Sequence, residues 1–284
     1  MSVAVSFEVF PPKSEDGLAQ LRSAAEQFGT VTPEFVSVTY GAGGTDRHRS
    51  FAAVDAVVTA APVAAHVTCV GQTRADVDGV IDHYIALGVR RIVALRGDPP
   101  DGIDAPYSPH PDGFARTAEL VERIKQRTDA SVAVSAYPER HPQSPSVDHD
   151  LAVLRDKVAA GADLALTQMF FDNSHFLRLR DRAQAQGIGI PIVPGIFPIH
   201  SLPAVGRFAA RCGATMPDRL ARRFDGLAPG TDEHVAAAAD VAAEQITELA
   251  SHGVEQIHLY TLNRAELALE VCARLGLTSK VTAP

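Results

Sequence analysis

The chain has 284 residues, of which 46% are hydrophobic and 21% charged, a balance typical of folded globular proteins. Twenty-six Lys and Arg residues against 34 Asp and Glu residues give a formal net charge of −8. We therefore expect neither nucleic acid nor a membrane as a partner, because both attract positively charged protein surfaces.

The sequence also shows no sign of export or membrane insertion. Residues 1–10 contain no basic segment and carry Glu8 within their apolar run, unlike a secretory signal. The longest apolar stretch, Val235–Ala243, is interrupted by Asp240 and is far shorter than the ~20 residues that span a bilayer. The cysteines lack redox or zinc spacing, which predicts buried thiols in a cytoplasmic protein: Cys69, Cys212 and Cys272.

Eight short apolar runs are predicted as β-strands. Most of them are continuous and do not alternate with polar residues, as expected for parallel strands that are covered on both faces. In chain order they are Val3–Val9, Phe35–Tyr40, Ala64–Val70, Arg91–Leu95, Ser131–Ala136, Leu164–Thr167, Ile190–Val193 and Gln256–Tyr260.

Segments with apolar residues at helical spacing lie between the predicted strands. They are Gly17–Phe28, Asp46–Thr59, Arg74–Leu87, Phe114–Arg127, Asp148–Ala159, Asn173–Gln186, Leu202–Arg211, Glu233–His252 and Arg264–Arg274. The predicted N-caps are Asp46, Thr73 and Asn173. Glycines suited to the left-handed position past a helix end are Gly88, Gly161, Gly187, Gly253 and Gly276.

This alternation of strands and helices predicts an α/β fold. Eight strand–helix units favour a (β/α)8 TIM barrel over an open doubly wound sheet, which fits the count less well. We find no linker or internal repeat, and we predict a single catalytic barrel domain over residues 1–284 with its core at about 3–277.

Polar residues gather at the carboxyl ends of the predicted strands, where a barrel concentrates its chemistry. Glu8 lies in an otherwise apolar strand, so its carboxyl group requires a partner or a raised pKa. We interpret it as catalytic and not as a structural ion-pair member, since perturbed carboxyl groups gather at functional sites. The other strand ends carry Thr39, Tyr40, His66, Thr68, Arg96, Asp98, Tyr137, Glu139, His141, Gln168, Tyr260, Asn263 and Arg264.

Nucleotide and metal motifs are weak in this sequence. Gly41–Gly44 resembles a phosphate-binding turn, but it lacks both the GxGxxG register and the Lys-Ser/Thr pair. His66 and His141 lack the spacing of metal-binding motifs and are more often hydrogen-bonding residues, so we assign no metal.

Several motifs taken together resemble one enzyme family. They include Ser6-Phe7-Glu8-Val9-Phe10-Pro11-Pro12, Val38-Thr39-Tyr40-Gly41-Ala42, Ala65-His66-Val67-Thr68, Leu95-Arg96-Gly97-Asp98, Thr167-Gln168-Met169-Phe170 and Tyr260-Thr261-Leu262-Asn263-Arg264. In this order, from residue 5 to about 277, the chain is similar to bacterial methylenetetrahydrofolate reductases. The resemblance implies a (β/α)8 barrel that reduces 5,10-methylenetetrahydrofolate to 5-methyltetrahydrofolate for one-carbon metabolism and methionine supply. NADH would be the electron source, with bound FAD as relay.

The resemblance also implies roles for individual residues. Glu8 would be the acid that opens the folate ring to an iminium, a step that suits a partly desolvated carboxyl group with a raised pKa. Asp98 would lie near flavin and pterin, where its charge stabilises that cation. Contacts with the folate or the nicotinamide fall on Gln168, Phe208, Tyr260 and Arg264. A homo-oligomer is a further expectation from the family, and the choice between NADH and NADPH stays open.

The flavin contacts implied by the resemblance carry over incompletely. The residues that fit the pattern are Thr39, Tyr40, Ala42, His66, Arg96, Gly97, Asp98, Ala115, Tyr137, His141, Asp150 and Lys157. The departures are Phe114 for a Tyr, Val153 for an Asn, Asp156 for a basic residue and Ala204 for a folate-contacting Gln. Asp156 is the sharpest departure, because an anion ~6 Å from a pyrophosphate repels it by roughly 2–3 kcal/mol at an effective dielectric of about 20.

Three interpretations therefore stay open. In the first, FAD binds and relays the hydride. In the second, NADH passes its hydride directly to the iminium without flavin. The third, from another class, is a folate- or flavin-binding protein without catalysis. Glu8, Asp98 and Gln168 argue against the third, because a protein that only binds has no need of a proton donor beside the reacting carbon.

Overall fold

The structure, a computed structural model, describes residues 3–41, 47–99, 102 and 105–277. Within these ranges, nine short strands form one parallel sheet. The strands are β1 (Ala4–Val9), β2 (Val36–Val38), β3 (Val63–Thr68), β4 (Arg91–Leu95), β5 (Ser131–Ala136), β6 (Leu164–Thr167), β7 (Ile192–Val193), β8 (Gly195–Ile196) and β9 (Gln256–Tyr260).

The sheet closes into a barrel through the segment around Pro194. Its strand order is β7-β6-β5-β4-β3-β2-β1-β9-β8, so β7 and β8 lie at opposite ends of the order although only one residue separates them in the chain. Ile192–Val193 pairs with β6, and Gly195–Ile196 pairs with β9. These two strands are thus two halves of one barrel strand. The predicted (β/α)8 fold is confirmed.

Helices connect the strands and cover the barrel. They are α1 (Glu15–Gly29), α2 (Arg47–Val58), α3 (Arg74–Ala86), α4 (Thr117–Arg127), α5 (Val147–Ala159), α6 (Asn173–Ala185), α7 (Leu202–Arg211), α8 (Asp218–Ala221), α9 (Asp232–Ser251) and α10 (Ala265–Arg274). A short 3₁₀ helix, Arg222–Phe224, follows α8. Among these described helices, none is long and apolar enough to cross a membrane.

The helix boundaries follow local capping chemistry. Thr73 caps α3 in a capping box with Asp76, as predicted. The predicted cap Asn173 is wrong, because Asp172 accepts the Ser174 N–H at 3.0 Å, whereas the Asn173 amide is buried against α9. The predicted cap Asp46 lies outside the described residues. All five predicted glycines adopt positive φ, between 70° and 109°.

Side chains of each strand alternate between two environments, as the pleat requires. On β1, Phe7 faces outward and stacks on Phe28 of α1, with ring centroids 4.4 Å apart. Ser6 and Glu8 face the barrel interior. The amino-terminal part of that interior is filled by a separate apolar cluster: Phe35, Ala64, Val93, Ala133, Leu164, Leu166 and Val193. The polar interior side chains therefore lie on the carboxyl-end side of this apolar cluster. The three predicted thiols are free and buried.

Candidate active site

A cavity of about 570 Å³ opens among the carboxyl ends of the strands and along one side of α5. Most residues predicted for the site line it. They are Glu8, Thr39, Tyr40, His66, Arg96, Gly97, Asp98, Tyr137, His141, Asp150, Lys157, Gln168, Phe208 and Tyr260. The fold thus gathers residues that are up to 252 positions apart around one space large enough for a small organic ligand.

Two other predicted residues, Ala115 and Arg264, are not among the described residues that line the cavity, and a third cannot be placed. Ala115 is exposed and its backbone N–H donates to Glu119, and the neighbouring Phe114 is fully buried against the Arg74 guanidinium. Arg264 is exposed at the start of α10 and borders a small pocket on the far side of Leu262. The third, Ala42, lies outside the described residues.

Two residues of α5 that depart from the family pattern differ in whether they line the cavity. Asp150, Val153 and Lys157 follow one another at helical spacing on α5, and all three line the cavity. Asp156 is exposed and is not one of the lining residues. Val153 instead brings an apolar isopropyl group to this wall.

Glu8 lies between two imidazoles on the barrel wall. Its Oε2 is 3.6 Å from His66 Nε2 and 3.7 Å from His258 Nε2. The Glu8 side chain is 22% exposed, whereas those of His66 and His258 are 7% and 0% exposed. Glu8 is therefore the most exposed member of this cluster, and both Glu8 and His66 line the cavity. In the described part of the chain, no three His, Cys, Asp or Glu side chains are placed to hold a metal ion.

The expected raised pKa of Glu8 is wrong for this structure. Burial acts to raise the pKa of Glu8, but hydrogen bonding to His258, the electrostatic effect of the two neighbouring imidazoles and hydrogen bonding to Ser37 outweigh it and lower the pKa. Burial also lowers the pKa of His66 to about 4, so His66 is uncharged at neutral pH. The carboxylate form of Glu8 is then stabilised by His258 and Ser37.

Aromatic side chains form the wall beside Glu8. The Tyr260 hydroxyl donates to the Thr167 carbonyl oxygen at 2.6 Å, which fixes the ring. Burial and the nearby Glu8 charge raise the pKa of Tyr260 well above its usual range. Phe197 packs on both Tyr260 and Phe208, with centroid distances of 5.9 and 5.8 Å. Phe208 itself is 44% exposed and presents a free aromatic face to a planar ligand.

Two polar groups flank these aromatic residues. The side-chain oxygen of Gln168 accepts the Met169 N–H at 2.9 Å, which leaves the Gln168 amide N–H groups for a ligand. Asp98 is exposed and follows Gly97, whose φ is 81°. A Cβ at Gly97 would stand 2.5 Å from Val70 Cγ1, so the turn that places Asp98 at the cavity requires glycine.

The opposite part of the cavity carries two cations. The Arg96 guanidinium stacks on Tyr107 at 4.9 Å. Lys157 is buried, and its ammonium group donates to the Ser135 carbonyl at 2.9 Å and to the Ser135 hydroxyl at 3.2 Å. Burial lowers the pKa of Lys157 to about 8. The Asp150 carboxylate accepts the His141 N–H at 3.0 Å and so holds the loop that follows β5.

The sequence analysis missed His258, Ser6 and Ser37, although a signal for them was present. In a barrel strand, residues two apart share a face. Ser6 therefore accompanies Glu8, and His258 accompanies Tyr260. Ser37 likewise shares its face with Thr39. Applying this rule to each predicted strand would have placed all three side chains on the interior wall.

A barrel with a carboxyl group and imidazoles exposed to its carboxyl-end cavity belongs among the barrel enzymes. The chain is a member of the methylenetetrahydrofolate reductase family, since residues 1–276 match the family described as "Methylenetetrahydrofolate reductase". The predicted family, an oxidoreductase family, is thereby confirmed.

Named relatives agree with this assignment. The chain is 38% identical over 281 residues to the 5,10-methylenetetrahydrofolate reductase of Pectobacterium carotovorum subsp. carotovorum, covering 98% of this chain and 92% of that protein. It is 37% identical over 276 residues to the Escherichia coli protein of the same name, covering 96% and 91%. The Arabidopsis thaliana protein named Methylenetetrahydrofolate reductase (NADH) 1 is 33% identical, covering 96% of this chain and 48% of that protein.

A solved structure supports the fold alone. An uncharacterized protein from Clostridium thermocellum, described as binding two copies of 5-methyl-5,6,7,8-tetrahydrofolic acid, superposes with a TM-score of 0.63. The comparison covers 96% of each chain, but the two sequences are only 13% identical.

Proposed function

We propose that this chain reduces 5,10-methylenetetrahydrofolate to 5-methyltetrahydrofolate with electrons from NADH or NADPH. The observation that carries the proposal is the placement of Glu8, a carboxyl group held between imidazoles and open to the cavity. Relatives that share 37–38% of their residues with this chain over nearly its whole length carry the name of this activity.

The first chemical task is to open the five-membered ring of the folate. Opening requires a proton on the leaving nitrogen, and Glu8 is placed to deliver it. A ligand that covers Glu8 removes its remaining exposure to water, which acts to raise the pKa of the carboxyl group. Binding of the substrate would thereby favour the protonated form that the reaction needs.

The second task is to stabilise the cationic iminium that ring opening produces. The Asp98 carboxylate lies at the cavity and offers the complementary charge. Phe208 would pack on the planar ring of the substrate or the nicotinamide, and the Gln168 amide would donate a hydrogen bond to it. Arg264 lies beyond the wall formed by Leu262, where it would meet a carboxylate that extends out of the cavity.

The chemistry of the lining residues fits FAD. Arg96 and the buried Lys157 are cations suited to a pyrophosphate, and Thr39 and Tyr137 are polar groups on the same wall. Asp156 is exposed to solvent and is not part of this wall. When bound, FAD would take the hydride from the nicotinamide and pass it to the folate. The apolar Val153 on this wall keeps direct transfer from NADH as the second candidate.

The absorption spectrum of the purified protein tests the cofactor, and NADH or NADPH oxidation with 5,10-methylenetetrahydrofolate tests the reaction. We expect a yellow protein that releases FAD on denaturation and turns over with NADH. A colourless protein that turns over without added FAD would overturn the flavin proposal and support direct transfer.

Glu8→Gln tests the acid. We expect its turnover to fall by about 10²–10⁴-fold while folate binding persists, since the amide keeps the shape but holds no transferable proton. Full turnover in this variant would refute the role of Glu8. If the unmodified protein binds folate but does not oxidise NADH or NADPH with or without FAD, the non-catalytic binding protein is the better description.

A further inference from the structure

Glu139 follows Tyr137-Pro138 in the loop after β5, but it is not among the described residues that line the cavity. Its side chain is only 14% exposed. Glu139 Oε1 accepts the Thr215 backbone N–H at 2.8 Å, and Oε2 accepts the Thr215 hydroxyl hydrogen at 2.6 Å. His175 Nε2, at 3.9 Å from Oε2, is too far for a hydrogen bond. We call the two hydrogen bonds to Thr215 the Glu139 clamp.

The Glu139 clamp joins two segments that both line the cavity. The loop after β5 contributes Tyr137 and His141, and α7, which precedes Thr215 in the chain, contributes Phe208. The two segments also approach closely beside the clamp. A Cβ on Gly213, whose φ is 76°, would stand 2.7 Å from a backbone carbonyl oxygen of the loop. A shift of either segment would therefore change the shape of the cavity.

Apolar packing holds α7 at only two buried positions. Of its ten residues, Val205 and Ala209 alone are buried, whereas Phe208 between them is 44% exposed. Small side chains such as these bury little apolar surface, so packing alone gives α7 little resistance to displacement. The position of Phe208 at the cavity therefore depends on how the end of the helix is held.

The segment that follows α7, residues 212–219, makes hydrogen bonds to other elements at two side-chain contacts in the part of the chain that the structure describes. One is the Glu139 clamp. The other is the ion pair of Arg219 with Asp172 at 3.2 Å, in which the Arg219 side chain is 64% exposed. An ion pair this exposed contributes little, because water screens it and ordering a long side chain costs entropy. The clamp is thus the firmer attachment of the end of α7.

The loop after β5, the other partner in the clamp, is also fixed by hydrogen bonds of its own. The His141 N–H donates to the Asp150 carboxylate at 3.0 Å. The Arg140 guanidinium donates to the Ser144 carbonyl oxygen at 2.8 Å. Loss of the clamp should therefore displace α7 and leave this loop in place.

We infer that Glu139 is a positioning residue for ligand binding, which through Thr215 holds α7 where Phe208 can pack on the planar ring of the folate or the nicotinamide. This inference rests on the proposed function, which gives Phe208 that contact. Without the clamp, α7 occupies other positions in part of the molecules. The apparent affinity for a ligand then falls in proportion to the fraction that keeps Phe208 in place. Because both ligands use the same aromatic face, both affinities should fall by a similar factor.

Glu139→Ala tests the inference in steady-state assays of the reductase. We expect the KM for the folate and the KM for NADH each to rise by about two- to tenfold, because each ligand must then order α7 on binding. The kcat should stay within about twofold of its value in the unmodified protein, since the bound state is the same. Unchanged KM values, or a fall in kcat alone, would overturn the inference.

Thr215 offers a matched pair of variants, which also serve if Glu139→Ala does not fold. Thr215→Ser keeps the hydroxyl group and should keep the original KM values. Thr215→Val keeps the shape but lacks the hydroxyl group, so both KM values should rise, by less than in Glu139→Ala. Equal KM values in these two variants would contradict the clamp. Arg219→Gln is the control for the exposed ion pair, and a larger effect here than in Glu139→Ala would also overturn the inference.

Hydrogen exchange separates this role from a general loss of structure. In Glu139→Ala, the amides of residues 202–211 should exchange faster, while those of residues 138–146 keep their original rates. Faster exchange in residues 138–146 but not in α7 would overturn the inference.

Calorimetric titration with 5-methyltetrahydrofolate separates the inference from the proposed function. A protein that shows no reductase activity, but that binds this folate more weakly in Glu139→Ala, would refute only the proposed function. An unchanged dissociation constant in Glu139→Ala would overturn the inference itself.

Discussion

Lys157 gives the protein a pH-dependent stability that can be worked out from its surroundings. Its ammonium group is buried on α5, and burial lowers its pKa from 10.5 to about 8. Between these two values the unfolded chain holds a proton that the folded chain has released. Stability therefore rises with pH through this window, and the full cost of burying the charge is present below about pH 8.

The size of the effect follows from the shift. A difference of roughly 2.5 pKa units corresponds to about 3 kcal/mol of unfolding free energy. Lys157→Met removes this cost but also removes the two hydrogen bonds to Ser135, worth about 1 kcal/mol each. We expect the variant to be more stable than the parent protein at neutral pH by roughly 1–2 kcal/mol, and less stable at about pH 10.

Guanidinium unfolding of both proteins across this pH range measures the difference. Taking the difference cancels the tyrosines, which titrate alike in both proteins. Lys125→Met is the control for loss of a positive charge, because Lys125 is partly exposed and pairs with Asp163 near the surface. A stability difference between Lys157→Met and the parent that does not change with pH would refute this reasoning.

Three further changes test the architecture. Gly195→Ala would place a Cβ 2.2 Å from the Thr167 carbonyl oxygen, so we expect a loss of about 1–3 kcal/mol, and an unchanged melting temperature would contradict this. Asp172→Ala removes the α6 cap and should cost about 1 kcal/mol at neutral pH. The Ser174 hydrogen bonds lower the pKa of Asp172 to about 2, so denaturant curves should show this difference fading as pH falls from about 4 toward 2. Asn263→Ala breaks two 2.9 Å hydrogen bonds to the Phe10 backbone. We expect this variant to have a several-fold higher KM for the folate in steady-state assays. An unchanged KM would show that the loop at Phe10 does not need these hydrogen bonds.

The strand pattern was readable because each barrel strand is buried on both faces and therefore nearly continuously apolar. The ends of strands were less readable, because they depend on where neighbouring strands stop. Residues 39 and 40, predicted within the second strand, lie beyond β2, which ends at Val38. The division of the seventh strand was not predicted, since it arises when Ile192–Val193 and Gly195–Ile196 pair with different partners.

The candidate site was predictable to the extent that single residues were conspicuous. Glu8 stood out as a carboxyl group in an apolar run. The direction of its pKa shift could not be predicted, because it depends on His258, which the fold brings beside β1 from the far end of the chain. Whether Asp156 lines the cavity could not be predicted either. Adjacent residues of a helix point about 100° apart, so Lys157 lines the cavity whereas Asp156 is exposed to solvent.

The Ser6–His258 contact joins residues 252 positions apart, because the first and last strands of the barrel are neighbours. This contact can therefore form only when β1 and β9, from opposite ends of the described chain, have paired. In a chain that lacks β9, Glu8 keeps His66 as a neighbour but loses His258. The full set of groups around Glu8 would then be present only in chains in which both of these strands have been synthesised and paired.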